Sequence, residues 1–127
     1  IQGRTKRFFL EDAGALEIRL NPMEKSLYLL FLNHPEGIFI SHLPDYQEEL
    51  ITYYDLLNNQ DSTEEMKQTI ERTLNPLEGH ISTNLSRIRR KFKDALGDEL
   101  SELYTIRGNK GEKFSIKLDR EFVEIKQ

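Results

Sequence analysis

The sequence predicts an α+β fold, and three observations carry that expectation. Short strand-turn-strand patterns stand near both ends, over Arg7–Leu20 and Leu103–Leu118. Between them apolar residues recur at intervals of three and four, the period of a helix with one buried face. Two asparagine-proline pairs, each with a glutamate two residues on, mark helix starts at Asn21 and Asn75.

The N-terminal pattern is a β-hairpin: Phe8–Leu10 and Ala15–Leu20 are strand-like, and Asp12 with Gly14 supplies the turn. At "NPME" (Asn21–Glu24) Asn is an N-cap side chain, Pro loses no hydrogen bond in the first turn, and Glu favours the positive end of the helix dipole. This first helix runs from Pro22 to about Asn33, where Pro35 and Gly37 stop it, and its run from Leu27 to Leu32 makes it the core helix. "GIFIS" (Gly37–Ser41) is a short extended piece. Leu43, Tyr46, Leu50, Tyr53 or Tyr54, and Leu57 then repeat as the stripe of a second helix; the tyrosines read as core, and any left exposed beside Leu50 or Leu57 would mark a protein interface. "STEE" (Ser62–Glu65) is a capping box opening a peripheral helix near 62–73, with Met66, Ile70 and Leu74 as its thin apolar stripe. "NPLE" (Asn75–Glu78) starts a fourth helix from Pro76 to Leu96, closed by Gly97. "LYTIRGNKGEKFSIKL" is a β-hairpin with its tip at Gly108–Gly111, and "DREFVEIKQ" fits either a strand or a short helix.

Composition narrows the function. The chain has 127 residues, 37% hydrophobic and 31% charged, which suits one domain over 1–127 with a modest core; opening on Ile1, it reads as a piece of a longer protein. It has no cysteine, which excludes disulfides and thiolate metal sites and fits a cytoplasmic setting. The longest apolar run, "LYLLFL", falls far short of the ~20 residues that cross a bilayer, and no membrane partner is expected. His34, His42 and His80 lack paired metal-ligand spacing. No nucleophile motif or phosphate-binding glycine loop is present, so the expectation is no enzyme, cofactor or metal. Charge is uneven: residues 1–75 hold 7 Lys+Arg against 13 Asp+Glu, a net of -6, whereas residues 76–127 hold 11 against 9, a net of +2. An anionic partner for the second half fits that asymmetry.

Within the fourth helix, "NLSRIRRKFK" (Asn84–Lys93) holds Arg87, Arg89, Arg90, Lys91 and Lys93 and no acid. At 100° per residue, Leu77, Ile81, Leu85, Ile88, Phe92 and Leu96 share one buried arc, while Gly79, Thr83, Ser86, Arg87, Arg90 and Asp94 face away. Arg89 and Lys93 lie on one shoulder, Asn84 and Lys91 on the other. Such a helix fits a DNA major groove, where Arg pairs with guanine, Asn with adenine, and Ser or Thr with base edges or phosphate. A solvated cationic face would show the same pattern. The hairpin tipped "RGNKG", within a dozen residues of the helix, tilts the balance toward the first reading. Helix and hairpin together are the layout of a winged helix-turn-helix, which brings Arg107, Lys110 or Lys113 toward backbone or minor groove.

"TNLSRIRRKF" (Thr83–Phe92) with "LYTIRGNKGEKFSI" after it resembles the winged-helix effector domain of OmpR/PhoB-type response regulators, whose core reads like "VHISRLRRKL … IRTVRGVGYRL". "LNPMEKSLYLLFLNHPEGIFIS" is similar to that family's "LTPTEFRLLELLARHPGRVVS", and together the matches cover about two thirds of the chain in the right order. The resemblance implies a DNA-binding transcription regulator with Thr83, Asn84, Arg87 and Arg90 at bases or nearby phosphates, Arg107 and Gly108 in the wing, and by analogy a homodimer on DNA. Three departures stand beside it: an added helix at Ser62–Thr73 where the family has a loop that contacts RNA polymerase, one N-terminal hairpin in place of a four-stranded sheet, and no phosphate-receiving domain.

The expected function is therefore sequence-specific binding of double-stranded DNA, with helix 76–96 in the major groove and the wing at 108–111 on the backbone. The candidate contacts are Thr83, Asn84, Ser86, Arg87, Arg90, Lys91, Arg107, Lys110 and Lys113. The alternative is a winged-helix protein-interaction module that does not bind DNA and meets a protein partner through its acidic first half.

Overall fold

A computed structural model of the chain describes residues 7–10, 16–58, 63–117 and 123–126. The fold class is α+β, with five α-helices and two small antiparallel sheets among the described residues.

The N-terminal hairpin is formed by β1 (Arg7–Leu10) and β2 (Leu16–Ile18), with Phe8 opposite Ile18. The turn expected at Asp12 and Gly14 lies outside the described residues. The C-terminal segment, for which the sequence allows strand or helix, is a strand, β6 (Val123–Lys126). It pairs along the other edge of β1, with Leu10 opposite Val123, and makes a three-stranded sheet in the order β2-β1-β6.

Helix α1 (Pro22–Leu32) begins as its sequence dictates. The Asn21 side chain accepts from the Glu24 amide at 2.8 Å, and the Glu24 carboxylate accepts from the Asn21 amide at 2.9 Å, a reciprocal cap that satisfies two orphan donors. Leu27, Tyr28, Leu30 and Phe31 are all fully buried, so α1 is the core helix. Each such side chain contributes about 1.5–3 kcal/mol of transfer free energy.

Strand β3 (Ile38–Phe39) leads into 3-10 turns over Ile40–Tyr46, and only then into α2 (Gln47–Asn58). Leu43 thus precedes the second helix rather than belonging to it. Pro44 has no N–H to give the Ile40 carbonyl, so a regular α-helical ladder cannot start there. The stripe still serves its purpose: Leu43, Leu50 and Leu57 are buried, and Tyr46, Tyr53 and Tyr54 pack half-buried against the core.

Helix α3 (Glu64–Leu74) is capped by Thr63, whose hydroxyl accepts from the Met66 amide at 3.1 Å. The cap expected at Ser62 moves by one residue at no loss, since Thr63 does the same job and Glu64 and Glu65 stay in the first turn. Ile70 and Leu74 are buried.

The second asparagine-proline signal does not start a helix. Asn75–Glu78 is a turn: the Asn75 side chain accepts from the Leu77 amide at 2.9 Å, and the Asn75 carbonyl accepts from the Glu78 amide. Gly79 then takes φ 74°, a left-handed conformation that helical backbone cannot run through and that glycine adopts without strain. Helix α4 accordingly begins at His80 and ends at Leu96, and Leu77, expected in its buried arc, is 93% exposed on the turn.

A short helix the sequence did not announce, α5 (Asp98–Tyr104), succeeds Gly97 directly, so Leu103 is helical and not part of the hairpin. The hairpin itself is β4 (Ile106–Arg107) and β5 (Lys113–Ile116), with Ile106 opposite Ile116. β3 adds to the other edge of β5, giving the order β3-β5-β4. Gly108 permits close packing here: a Cβ at this position would sit 2.6 Å from the Phe114 ring. The Tyr28 hydroxyl donates to the Tyr104 carbonyl, tying α1 to the residue at the end of α5, two positions before β4. Burial pushes that phenol far above its ordinary range, with Tyr104 adding to the effect, so it remains a neutral donor.

At the end of α1, His34 links two elements. Its Nδ1 meets Glu36 at 3.1 Å and its Nε2 meets Glu49 of α2 at 2.9 Å, while the Tyr53 hydroxyl donates to the same Glu49. Burial alone would lower the imidazole's affinity for protons, but the hydrogen bonds and charges of Glu49 and Glu36 overcome it and hold His34 above its usual 6.5. The imidazolium is therefore favoured in the folded state. Its contribution is complete below about pH 6.5 and disappears as pH rises through the higher folded value. Urea unfolding between pH 6 and 9 should show stability falling above pH 6.5 in the wild type, by about 0.5–1 kcal/mol, with a flatter profile in His34→Gln. Parallel profiles would show that His34 is not the titrating group.

Candidate nucleic-acid interface

Helix α4 is amphipathic, and its buried side fixes what its other sides present. Ile81, Ile88 and Phe92 point into the core, and Phe92 stacks on Tyr28 with ring centroids 5.0 Å apart. Thr83, Ser86, Arg87 and Arg90 lie exposed on the opposite side. Arg90 keeps 82% of its side chain in solvent and approaches Asp94 only at 4.0 Å. The Thr83 hydroxyl donates to the Gly79 carbonyl at 3.5 Å, and the half-buried Asn84 amide donates to the His80 carbonyl at 2.9 Å, turning its nitrogen back onto the helix.

One shoulder of α4 faces the β4–β5 hairpin. Ser82, Ser86 and Arg89 from the helix, with Arg107, Gly108 and Phe114 from the hairpin, line a cleft of about 240 Å³. A second cleft, of about 560 Å³, runs from Ser82 and Pro76 to Lys110 at the hairpin tip. Arg107 is partly buried and meets Glu102 of α5 at 3.1 Å. Among the described residues no acid lies within 4.0 Å of Arg87, Arg89 or Lys110, so these three cations have no ion-pair partner there.

The structure thus brings together Thr83, Ser86, Arg87 and Arg90, with Arg107 and Lys110 close by. It sets three expected residues apart: Asn84, whose amide nitrogen is engaged by the His80 carbonyl, and two lysines. Lys113 sits with its ammonium 5.6 Å from the Phe39 ring, on the β3 side of the hairpin. Lys91 reaches back to Glu24, which is fully buried, and its ammonium donates to the same carboxylate oxygen that caps α1. Lys91 therefore locks α4 to α1. Conversely, Ser82 and Arg89 were not among the expected contacts. The seven-residue interval puts them on one shoulder, but the sequence does not say which shoulder the hairpin covers.

The Glu24–Lys91 pair yields a measurable cost. The other Glu24 oxygen is buried without a partner, so removing the ammonium strands a carboxylate with one remaining donor. Lys91→Met should destabilise the fold by about 1–3 kcal/mol in urea unfolding, less than the roughly 3–5 kcal/mol of a fully buried pair because Lys91 is itself 40% exposed. Adding Glu24→Gln, which keeps an acceptor for the cap, should restore most of that loss. A double variant no better than Lys91→Met would contradict the assignment.

Among the described residues no cluster of three His, Cys, Asp or Glu side chains could hold a metal ion, and no helix is long and apolar enough to cross a membrane. No family model matches the chain, and comparison with curated proteins and with solved structures finds no similar one.

Proposed function

We propose that this chain binds double-stranded DNA, as a winged helix-turn-helix of the kind used in transcription regulation. The observation that carries the reading is the exposed face of α4, with Arg87, Arg90, Thr83 and Ser86, standing beside a hairpin whose tip presents Lys110. In this reading α3 and α4, joined by the turn through Gly79, are the helix-turn-helix pair. The β3-β5-β4 sheet carries the wing. A helix of 17 residues is about 25 Å long and narrow enough for the ~12 Å major groove. Arg87 and Arg90 meet base edges and flanking phosphates there, and Lys110 meets the backbone beside the groove. For α3, which stands where OmpR/PhoB-type effector domains have a loop, the resemblance offers no counterpart; for α4 and the hairpin it supports the same roles. So does the net charge of +2 in residues 76–127.

A second reading, a winged-helix module that binds a protein instead, is favoured by one observation. Lys91, Lys93, Arg90 and Arg107 each have a carboxylate within 4.0 Å, which lowers the charge offered to DNA. Amide chemical-shift mapping with a duplex pool separates the two. DNA binding predicts shifts concentrated at Ser82–Lys93 and Arg107–Gly111, smaller ones at the end of α3 beside the turn, and none in α2. Unchanged spectra at low salt would reject it and favour the protein partner.

A further inference from the structure

Three cations and three acids share one cleft of about 470 Å³ between α4, α5 and β4: Arg89, Lys93 and Arg107 against Asp98, Glu99 and Glu102. The pairing within it is specific. Glu102 lies 3.1 Å from Arg107 and Asp98 lies 3.5 Å from Lys93, whereas Glu99 has no cation within 4.0 Å among the described residues. Helix α5 holds these acids in place, since Ser101 and Tyr104 are buried and the Tyr104 carbonyl is bonded by Tyr28. The paired groups nevertheless remain open to solvent: Arg107 is 37% exposed and Glu102 46%, Lys93 55% and Asp98 80%.

We propose that Asp98 and Glu102 are built-in competitors for the DNA backbone, occupying in the free protein the cations that phosphates take in the complex. The proposal rests on the DNA-binding reading above. Its physical basis is the weakness of exposed pairs: a carboxylate held at this depth is readily exchanged for a phosphodiester, which offers the same charge and two acceptor oxygens. The two pairs differ in this from Glu24–Lys91, where the carboxylate is fully buried and no phosphate can replace it. The acids therefore set affinity, holding it below what the four other cations on α4 and the one on β4 would give if nothing had to be displaced.

The test is fluorescence anisotropy of a labelled random duplex with wild type, Glu102→Gln, Asp98→Asn with Glu102→Gln, Glu99→Gln and Arg87→Ala, each across a salt series. Glu102→Gln should bind about two- to fivefold tighter near 0.1 M salt, and the double variant about tenfold tighter. The salt slope should stay within about one unit of the wild-type value, because the same phosphates are neutralised in both complexes. Glu99→Gln makes the same change in net charge from the same helix but frees no cation, so it should gain less and keep the wild-type slope. Equal gains from Glu99→Gln and Glu102→Gln would overturn the proposal, because net charge alone would then account for both. So would no gain from Glu102→Gln while wild type binds and Arg87→Ala binds weakly. Absence of binding by every protein, at the lowest salt, would instead overturn the DNA reading and the competition with it.

Discussion

Reversing two charges on α4, Arg87→Glu together with Arg90→Glu, should weaken duplex binding at least about a hundredfold near 0.1 M salt. Each arginine stands on the exposed side of the helix, so each reversal removes one phosphate or base contact and puts a like charge against the backbone. A hundredfold corresponds to about 2.7 kcal/mol, a modest demand on two contacts of this kind. The slope of log affinity against log salt should flatten by about two. Stability should change little, by about 0.5 kcal/mol, since Arg90 is 82% exposed and gives up only a 4.0 Å approach to Asp94. A double variant that binds duplex as well as wild type would remove α4 from the interface. One that fails to bind but is also unfolded by circular dichroism would have to be replaced by Arg87→Ala with Arg90→Ala, for which about tenfold weakening is expected.

The second large effect is on the fold that presents α4. Phe92 is fully buried and stacks on Tyr28, whose hydroxyl holds the Tyr104 carbonyl at the base of the hairpin. Phe92→Ala deletes most of a ring between α1 and α4 and leaves a cavity, which costs about 3–5 kcal/mol. That is a large share of the roughly 5–15 kcal/mol typical of a small domain. With a urea slope of about 2 kcal/mol/M the unfolding midpoint should fall by about 2 M. Phe92→Leu keeps most of the volume and should cost less than about half as much. A midpoint shift under about 0.5 M for Phe92→Ala would mean that α4 is not seated on α1 through this ring.

How much was legible in the sequence is clearest at its two asparagine-proline signals. "NPME" and "NPLE" have nearly the same local chemistry, and only the first opens a helix. The difference lies one residue beyond the second motif, at Gly79, whose left-handed backbone delays α4 to His80 and throws Leu77 into solvent. Helix α5 is hard to read because it is 7 residues long and succeeds α4 without a loop, although Asp98 and Glu99 in its first turn were a usable signal. Strand β6 needed a partner 113 positions away, Leu10 opposite Val123, and no local pattern carries that pairing. The same holds at the candidate site. Periodicity alone separates the exposed face of α4 from the buried one, and so assigns Arg87 and Arg90. It cannot tell that Lys91 turns to Glu24, 67 residues earlier, or that the shoulder with Ser82 and Arg89 is the one beside the hairpin. The helical period and the cap at Asn21 were readable; the turn at Asn75 and the tertiary partners of individual charges were not.

In the proposed function the cations on α4 and the hairpin serve an anionic duplex. That role is tested most directly by fluorescence anisotropy of the chain with a random duplex DNA pool, titrated from low to physiological salt. Binding should weaken steeply with salt, with a log-log slope near about -0.9 for each phosphate neutralised and at least about three such phosphates, from Arg87, Arg90 and Lys110. No binding at low salt, or binding indifferent to salt, would contradict it and turn attention to a protein partner for this fold.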